Sequence, residues 1–193
     1  MDGERAPAAR GDQPVAGRPA LMPLVSLLLL VPCRQDADAA SAELSPAVHK
    51  AYEARMAGQT ERAREILLSA LEDDPGDAAL YFELARASLY LLDLDRAQKA
   101  IEEAVQLSPS NARYHCWLGT ISTYSAVSKN MKAETRAQMP NLMRKALEGF
   151  RQAVELDPDH HDARFRLINC YVKNPTEAGG DRVTAEEQTR LLE

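Results

Sequence analysis

Three short segments of the chain end alike. Ala-Leu-Glu-Asp-Asp-Pro at 70–75, Ala-Val-Gln-Leu-Ser-Pro at 104–109 and Ala-Val-Glu-Leu-Asp-Pro at 153–158 each run from a small residue through polar and apolar ones to a proline. Pro109 follows Pro75 at an interval of thirty-four, and Pro158 follows Pro109 at an interval of forty-nine, fifteen more. A fixed period of this size marks a chain built from stacked copies of one supersecondary unit. Such a unit cannot bury its apolar face alone, so its neighbours must cover it. Proline cannot continue a helix interior, so each tail reads as the end of a helix.

Between the tails the chain is rich in Ala, Leu and Glu, which are strong helix formers. No stretch alternates like a half-buried strand. Ser45-Pro46 has the form of an N-cap followed by proline at the first helical position. Thr60 is placed to cap a second helix. Thr184 and Glu187, three apart, have capping-box spacing for the last one.

Four units follow. The first spans 44–77, with Ala51, Ala63 and Ala70 at small positions, Gly58 at the turn and Pro75 at the end. The second spans 78–111, with Tyr81 and Leu84, then Ala85, Ala97 and Ala104, Ile101 between them and Pro109 closing. The third spans 112–160, with Leu118-Gly119, Ala146, Phe150, Ala153 and Pro158. The fourth spans 161–193 and is incomplete, with Leu167, Tyr171, Gly180 and Ala185. Small residues at facing positions let two antiparallel helices approach closely, while Ile101 and Phe150 fill the space toward the next unit.

This pattern resembles the tetratricopeptide repeat family, whose period is about 34 residues. The resemblance covers 44–193 and implies an all-α fold: a short right-handed solenoid of about four helix pairs. The third unit departs from the pattern by about fifteen extra residues, roughly Ser125–Pro140. They are expected to lengthen the first helix of that pair and add a short helical or mobile segment, interrupted at Pro140. The fourth carries about five extra residues within 173–180. A long third unit followed by a Pro…Ala-Gly-Gly turn is similar to exported bacterial members of the family. The chain stops at Glu193, short of the fourth closing proline. The reading is therefore either a truncated unit or an apolar end face that something covers.

The segment 1–42 differs in kind. Five of the 11 prolines and three of the 9 glycines fall within the first 32 positions, and residues 1–19 have no periodicity, so they read as disordered. Residues 20–32, ALMPLVSLLLLVP, form an apolar block of thirteen. A membrane span needs about twenty. The block fits the apolar middle of a signal peptide, with Arg5, Arg10 and Arg18 ahead of it and Ala-Ser-Ala at 40–42 or Ala37-Asp38-Ala39 as cleavage sites. That reading places the mature protein outside the cytoplasm, periplasmic or extracellular. Two alternatives stand beside it. Cys33 is placed for lipidation and membrane anchoring, although Pro32 stands where a small residue is usual. A wrongly assigned start codon would instead go with a cytoplasmic protein.

Composition excludes several classes. With 45% hydrophobic and 27% charged residues the chain is neither collagen-like nor wholly disordered. A net charge of −6 argues against nucleic acid as partner. Three cysteines make no disulfide framework, and Cys116 and Cys170 read as small buried hydrophobes. Asp157-Pro158-Asp159-His160-His161-Asp162 is the most metal-like stretch, but adjacent histidines diverge and no distant ligand set matches it. Glu102-Glu103 and Glu186-Glu187 do not face each other on a helix, so neither is a catalytic pair. No nucleophile elbow and no Gly-rich phosphate loop is present in the sequence. Trp117, the sole Trp, reads as a packing residue. The sequence therefore points to a non-enzymatic protein with no cofactor and no metal.

What remains is what the resemblance implies. In the family, the first helices of successive units line a concave groove that takes a protein or peptide ligand. Carried over by position, that groove is lined by Tyr52 and Arg55 from the first unit, and by Phe82, Arg86 and Tyr90 from the second. Arg113, Thr120 and Tyr124 come from the third, Phe165 and Asn169 from the fourth. Aromatics and Arg are the types enriched at binding hot spots. Arg55, Arg86 and Arg113 are expected to make the face locally basic on an acidic protein. The Lys/Asn/Arg clamp that some relatives use for a chaperone's carboxyl terminus is absent, Val48 and Phe82 standing in its place. The alternative function is structural self-assembly, a homo-oligomer stacked through the C-terminal end.

Overall fold

The computed structural model describes residues 45–130, 133–174, 176 and 179–191. The leader, its apolar block at 20–32 and Cys33 lie outside them. The described residues form α1 (Pro46–Met56), α2 (Thr60–Asp73), α3 (Ala78–Tyr90), α4 (Leu94–Leu107), α5 (Ala112–Asn130), a 3₁₀ turn (Ala133–Gln138), α6 (Met139–Leu156), α7 (His161–Lys173) and α8 (Arg182–Arg190). There is no strand among them. Packing runs between helices adjacent in sequence, and α1 also reaches α3. The described residues thus form a solenoid of four helix pairs, and the all-α expectation holds.

Helix ends follow local chemistry. Ser45 caps α1, its hydroxyl accepting from the Val48 N–H at 3.4 Å, with Pro46 in the first turn. Pro75, Pro109 and Pro158 each stand two positions beyond the last residue of α2, α4 and α6. Two expected caps are corrected. Thr60 is already helical, and Gln59 before it makes no side-chain cap. Thr184 lies inside α8, whose cap is Asp181, accepting from the Val183 and Thr184 N–H groups at 3.0 and 3.3 Å. A carboxylate is the stronger acceptor at a helix N-terminus, and the Thr184 hydroxyl supports it by donating to Asp181 at 2.7 Å.

The second helices of the two middle pairs each bury one stripe. On α4 it is Ala97, Ala100, Ile101 and Ala104, the spacing of a single helix face. On α6 it is Met143, Ala146, Phe150 and Ala153, joined by Gly149. Burying a side chain such as Ile101 or Phe150 contributes about 1.5–3 kcal/mol, and both are essentially fully buried. At the α5–α6 crossing, Gly119 and Gly149 meet. A Cβ on Gly149 would stand 2.8 Å from the Gly119 nitrogen and 2.9 Å from the His115 carbonyl oxygen. The backbones touch there, and no side chain fits between them. The insertion lengthens α5 and adds the 3₁₀ turn. Pro140 does not interrupt a helix but sits in the first turn of α6, where its missing N–H is harmless.

Candidate functional site

The first helices of the pairs carry the residues expected on the groove, and the structure joins six of them into one cluster. On α1 the Arg55 guanidinium lies between two tyrosines, 5.2 Å from the Tyr52 ring centre and 5.4 Å from that of Tyr90 on α3. Its Nη2 is 3.4 Å from Oε2 of Glu83. The other Glu83 oxygen accepts from Arg86 Nη1 at 2.8 Å. Arg86 in turn lies 5.4 Å from the Phe82 ring centre and 5.1 Å from that of Trp117 on α5. Arg113 covers Phe82 at 4.7 Å. Phe82 stacks on Tyr114 at 4.8 Å and meets Trp117 edge-on at 5.9 Å.

The arrangement alternates cations with rings from α1 across α3 to α5. A desolvated cation–π contact is worth about 2 kcal/mol or more. The buried ion pairs are a different matter, since their attraction is largely offset by the cost of dehydrating the charges. This corrects one expectation. Arg55 and Arg86 do not form an open basic face, because both are buried and share Glu83. Glu83 is the residue that the sequence reading missed. Its signal was present: it stands three positions before Arg86, on the same helix face. Tyr114 was likewise passed over, and Trp117, fully buried, serves the packing role read for it while also supporting Arg86.

The remaining expected residues are placed as follows. Thr120 is fully buried, and its hydroxyl donates to the Cys116 carbonyl one turn back at 3.0 Å. Tyr124 is half-buried; its phenol is held above the usual range mainly by burial, with Arg166 opposing and Tyr90 adding to the shift. Phe165 and Asn169 form a local pair on α7, the Asn169 amide donating to the Phe165 carbonyl at 2.8 Å. Among the described residues neither joins the ring–cation cluster. The apolar groups of these first helices that reach solvent include Met56, Tyr90 at 52% exposure and Phe165 at 46%.

No group of three or more His, Cys, Asp or Glu among the described residues is placed to hold a metal ion. No helix there is long and apolar enough to cross a membrane. Cys170 is a free buried thiol, pushed up to about 12 by desolvation and therefore inert. Cys116 is equally buried, as read from the sequence, but is not a free thiol.

Residues 54–116 match the family model described as tetratricopeptide repeat. The fold is a tetratricopeptide-repeat solenoid. A thermophilic protein of this class from Thermus thermophilus superposes with a TM-score of 0.59 at 19% identity, over 75% of this chain and 70% of that one. The human IFIT1 dimer with m7Gppp-AAAA gives a TM-score of 0.64 at 22% identity, over 76% of this chain but only 32% of IFIT1. The first repeat domain of Spaghetti (RPAP3), bound to an HSP90 peptide, gives 0.53 at 18% identity, over 64% of this chain and 86% of that domain. No curated protein sequence matches the chain.

Proposed function

We propose that this tetratricopeptide-repeat chain is a non-enzymatic scaffold that binds an extended protein or peptide segment along the face shared by α1, α3, α5 and α7. The observation that supports this reading most is the ring–cation cluster. It links three first helices while leaving Tyr90 half in solvent, with Met56 and Phe165 exposed on the same set of helices. A rigid aromatic on a fixed support is the usual anchor of a binding surface. The peptide-bound neighbour uses the same architecture. The RNA-bound neighbour suggests a polyanion instead, but the net charge of −6 and the engagement of Arg55 and Arg86 by Glu83 weigh against one.

The ligand that fits is a peptide with an aromatic or aliphatic anchor, its acidic groups secondary. Selection from a displayed random-peptide library on the purified chain tests this. Enriched peptides should share an apolar anchor, and Tyr90→Ala should weaken them by roughly 1–3 kcal/mol, about 5- to 150-fold. Leu156→Ala, on a second helix, should leave them unchanged. Peptides that bind Tyr90→Ala as well as the parent would place the ligand elsewhere, and enrichment only of a capped oligoadenylate in a parallel arm would favour the RNA reading.

A further inference from the structure

His160 holds the N-cap position of α7, a place usually taken by Ser, Thr, Asp or Asn. Its Nδ1 faces the Ala163 N–H at 3.4 Å and accepts from it, so this nitrogen carries no proton while the cap is made. The imidazole is almost fully enclosed, at 4% exposure. The charged groups around it are Asp157 at the end of α6, and Asp162 and Arg166 on α7. Neither carboxylate forms an ion pair with it among the described residues, and Asp162 is engaged by Arg166 at 3.3 Å. The ring therefore sits neutral at the positive end of a helix dipole.

We propose that His160 is a proton-operated cap, and that acid releases the α7–α8 pair from the rest of the solenoid. Protonation at Nδ1 turns the acceptor into a donor aimed at another N–H, so the hydrogen bond is lost. It also sets a cation against the partial positive charge of the helix start. Burial penalises the charged ring further and lowers its pKa from the ordinary value of 6.5, which fixes the direction of the effect. The unfolded pair takes up its proton first as pH falls below 6.5. Stability of the pair is therefore complete above that pH and declines as pH drops from 6.5 toward the lowered value. α7 also carries Phe165 and Asn169, so release would remove part of the proposed binding face; only that consequence rests on the function proposed above.

Hydrogen exchange of the α7 amides, measured on the full chain without ligand between about pH 5 and 8 and corrected for intrinsic rates, tests the cap. Protection of α7 should fall on acidification, by up to about tenfold for each pH unit separating the two pKa values. α3 and α4 should not share the fall. His160→Asn keeps a capping acceptor that does not titrate and should abolish the acid loss, whereas His161→Asn should retain it. An NMR titration of the His160 ring in the parent chain should give a midpoint below 6.5. A midpoint at or above that value, pH-independent α7 protection, or an unchanged acid loss in His160→Asn would each overturn the proposal.

Discussion

Leu92 stands one repeat period after Gly58, at the equivalent turn of the next unit, and both have left-handed backbone: φ is +77° at Gly58 and +58° at Leu92. Gly58 adopts this without penalty, whereas a side chain there crowds the following carbonyl at about 1–2 kcal/mol. Leu92 recovers little of that by packing, being 75% exposed. Its backbone is held by the helix end, the Leu92 N–H donating to the Leu89 carbonyl and the Asp93 N–H to that of Ser88, each at 2.9 Å. Leu92→Gly relieves the crowding and adds about 0.5–1 kcal/mol of chain entropy to the unfolded state. The variant should be more stable by about 0.5–1 kcal/mol, read from the urea midpoint at unchanged slope. A lower midpoint would show that the exposed leucine makes a contact worth more than its strain.

At the scale of elements, the links between α1, α3 and α5 run through side chains whose roles differed in legibility. The helices were readable because helical periodicity and terminal prolines are local signals; the small stripe of Ala97 and Ala104 and the Ser45 cap stand where the pattern put them. Gly149 was not singled out, because its meaning depends on Gly119 opposite, a contact between two helices. Glu83 was hidden for the same reason. Arg55 and Glu83 belong to different units, and only stacking of the two brings them to 3.4 Å. Arg55 and Arg86 read as part of a basic face because the sequence counts charges without showing which acid lies between them. The consequence is measurable. Glu83→Ala strips Arg55 of its carboxylate inside a buried site, which costs about 3–5 kcal/mol. Glu83→Gln, which preserves shape and one acceptor, should cost less. A loss under about 1 kcal/mol for the alanine variant would mean that water solvates the cluster, contrary to its burial.

For the whole molecule, the linear order of contacts makes stability a sum over neighbouring units and not the property of one central core. The units are not equal in this sum. α3 buries nine residues of thirteen, while α8 buries Ala185 alone and is held to α7. Arg164 adds a tether, donating to Gln188 on α8 at 3.0 Å and to the Pro158 carbonyl at 2.7 Å, but these are modest terms beside apolar burial. Unfolding should therefore begin at the ends of the solenoid, where α2 buries only Ala63 and Leu67 and α8 only Ala185, and reach Trp117 on α5 later. Two probes separate the stages. Far-UV circular dichroism counts every helix, whereas the fluorescence of Trp117, fully buried on α5 against Phe82 and Arg86, reports the centre alone. In urea at neutral pH the dichroism should start to fall before the fluorescence moves. With a slope of about 1–3 kcal/mol per molar, a difference of about 1 kcal/mol between end and centre separates the midpoints by roughly 0.3–1 M. Coincident curves would instead mean that coupling between units exceeds the difference in their own stabilities, so that the solenoid unfolds as one body.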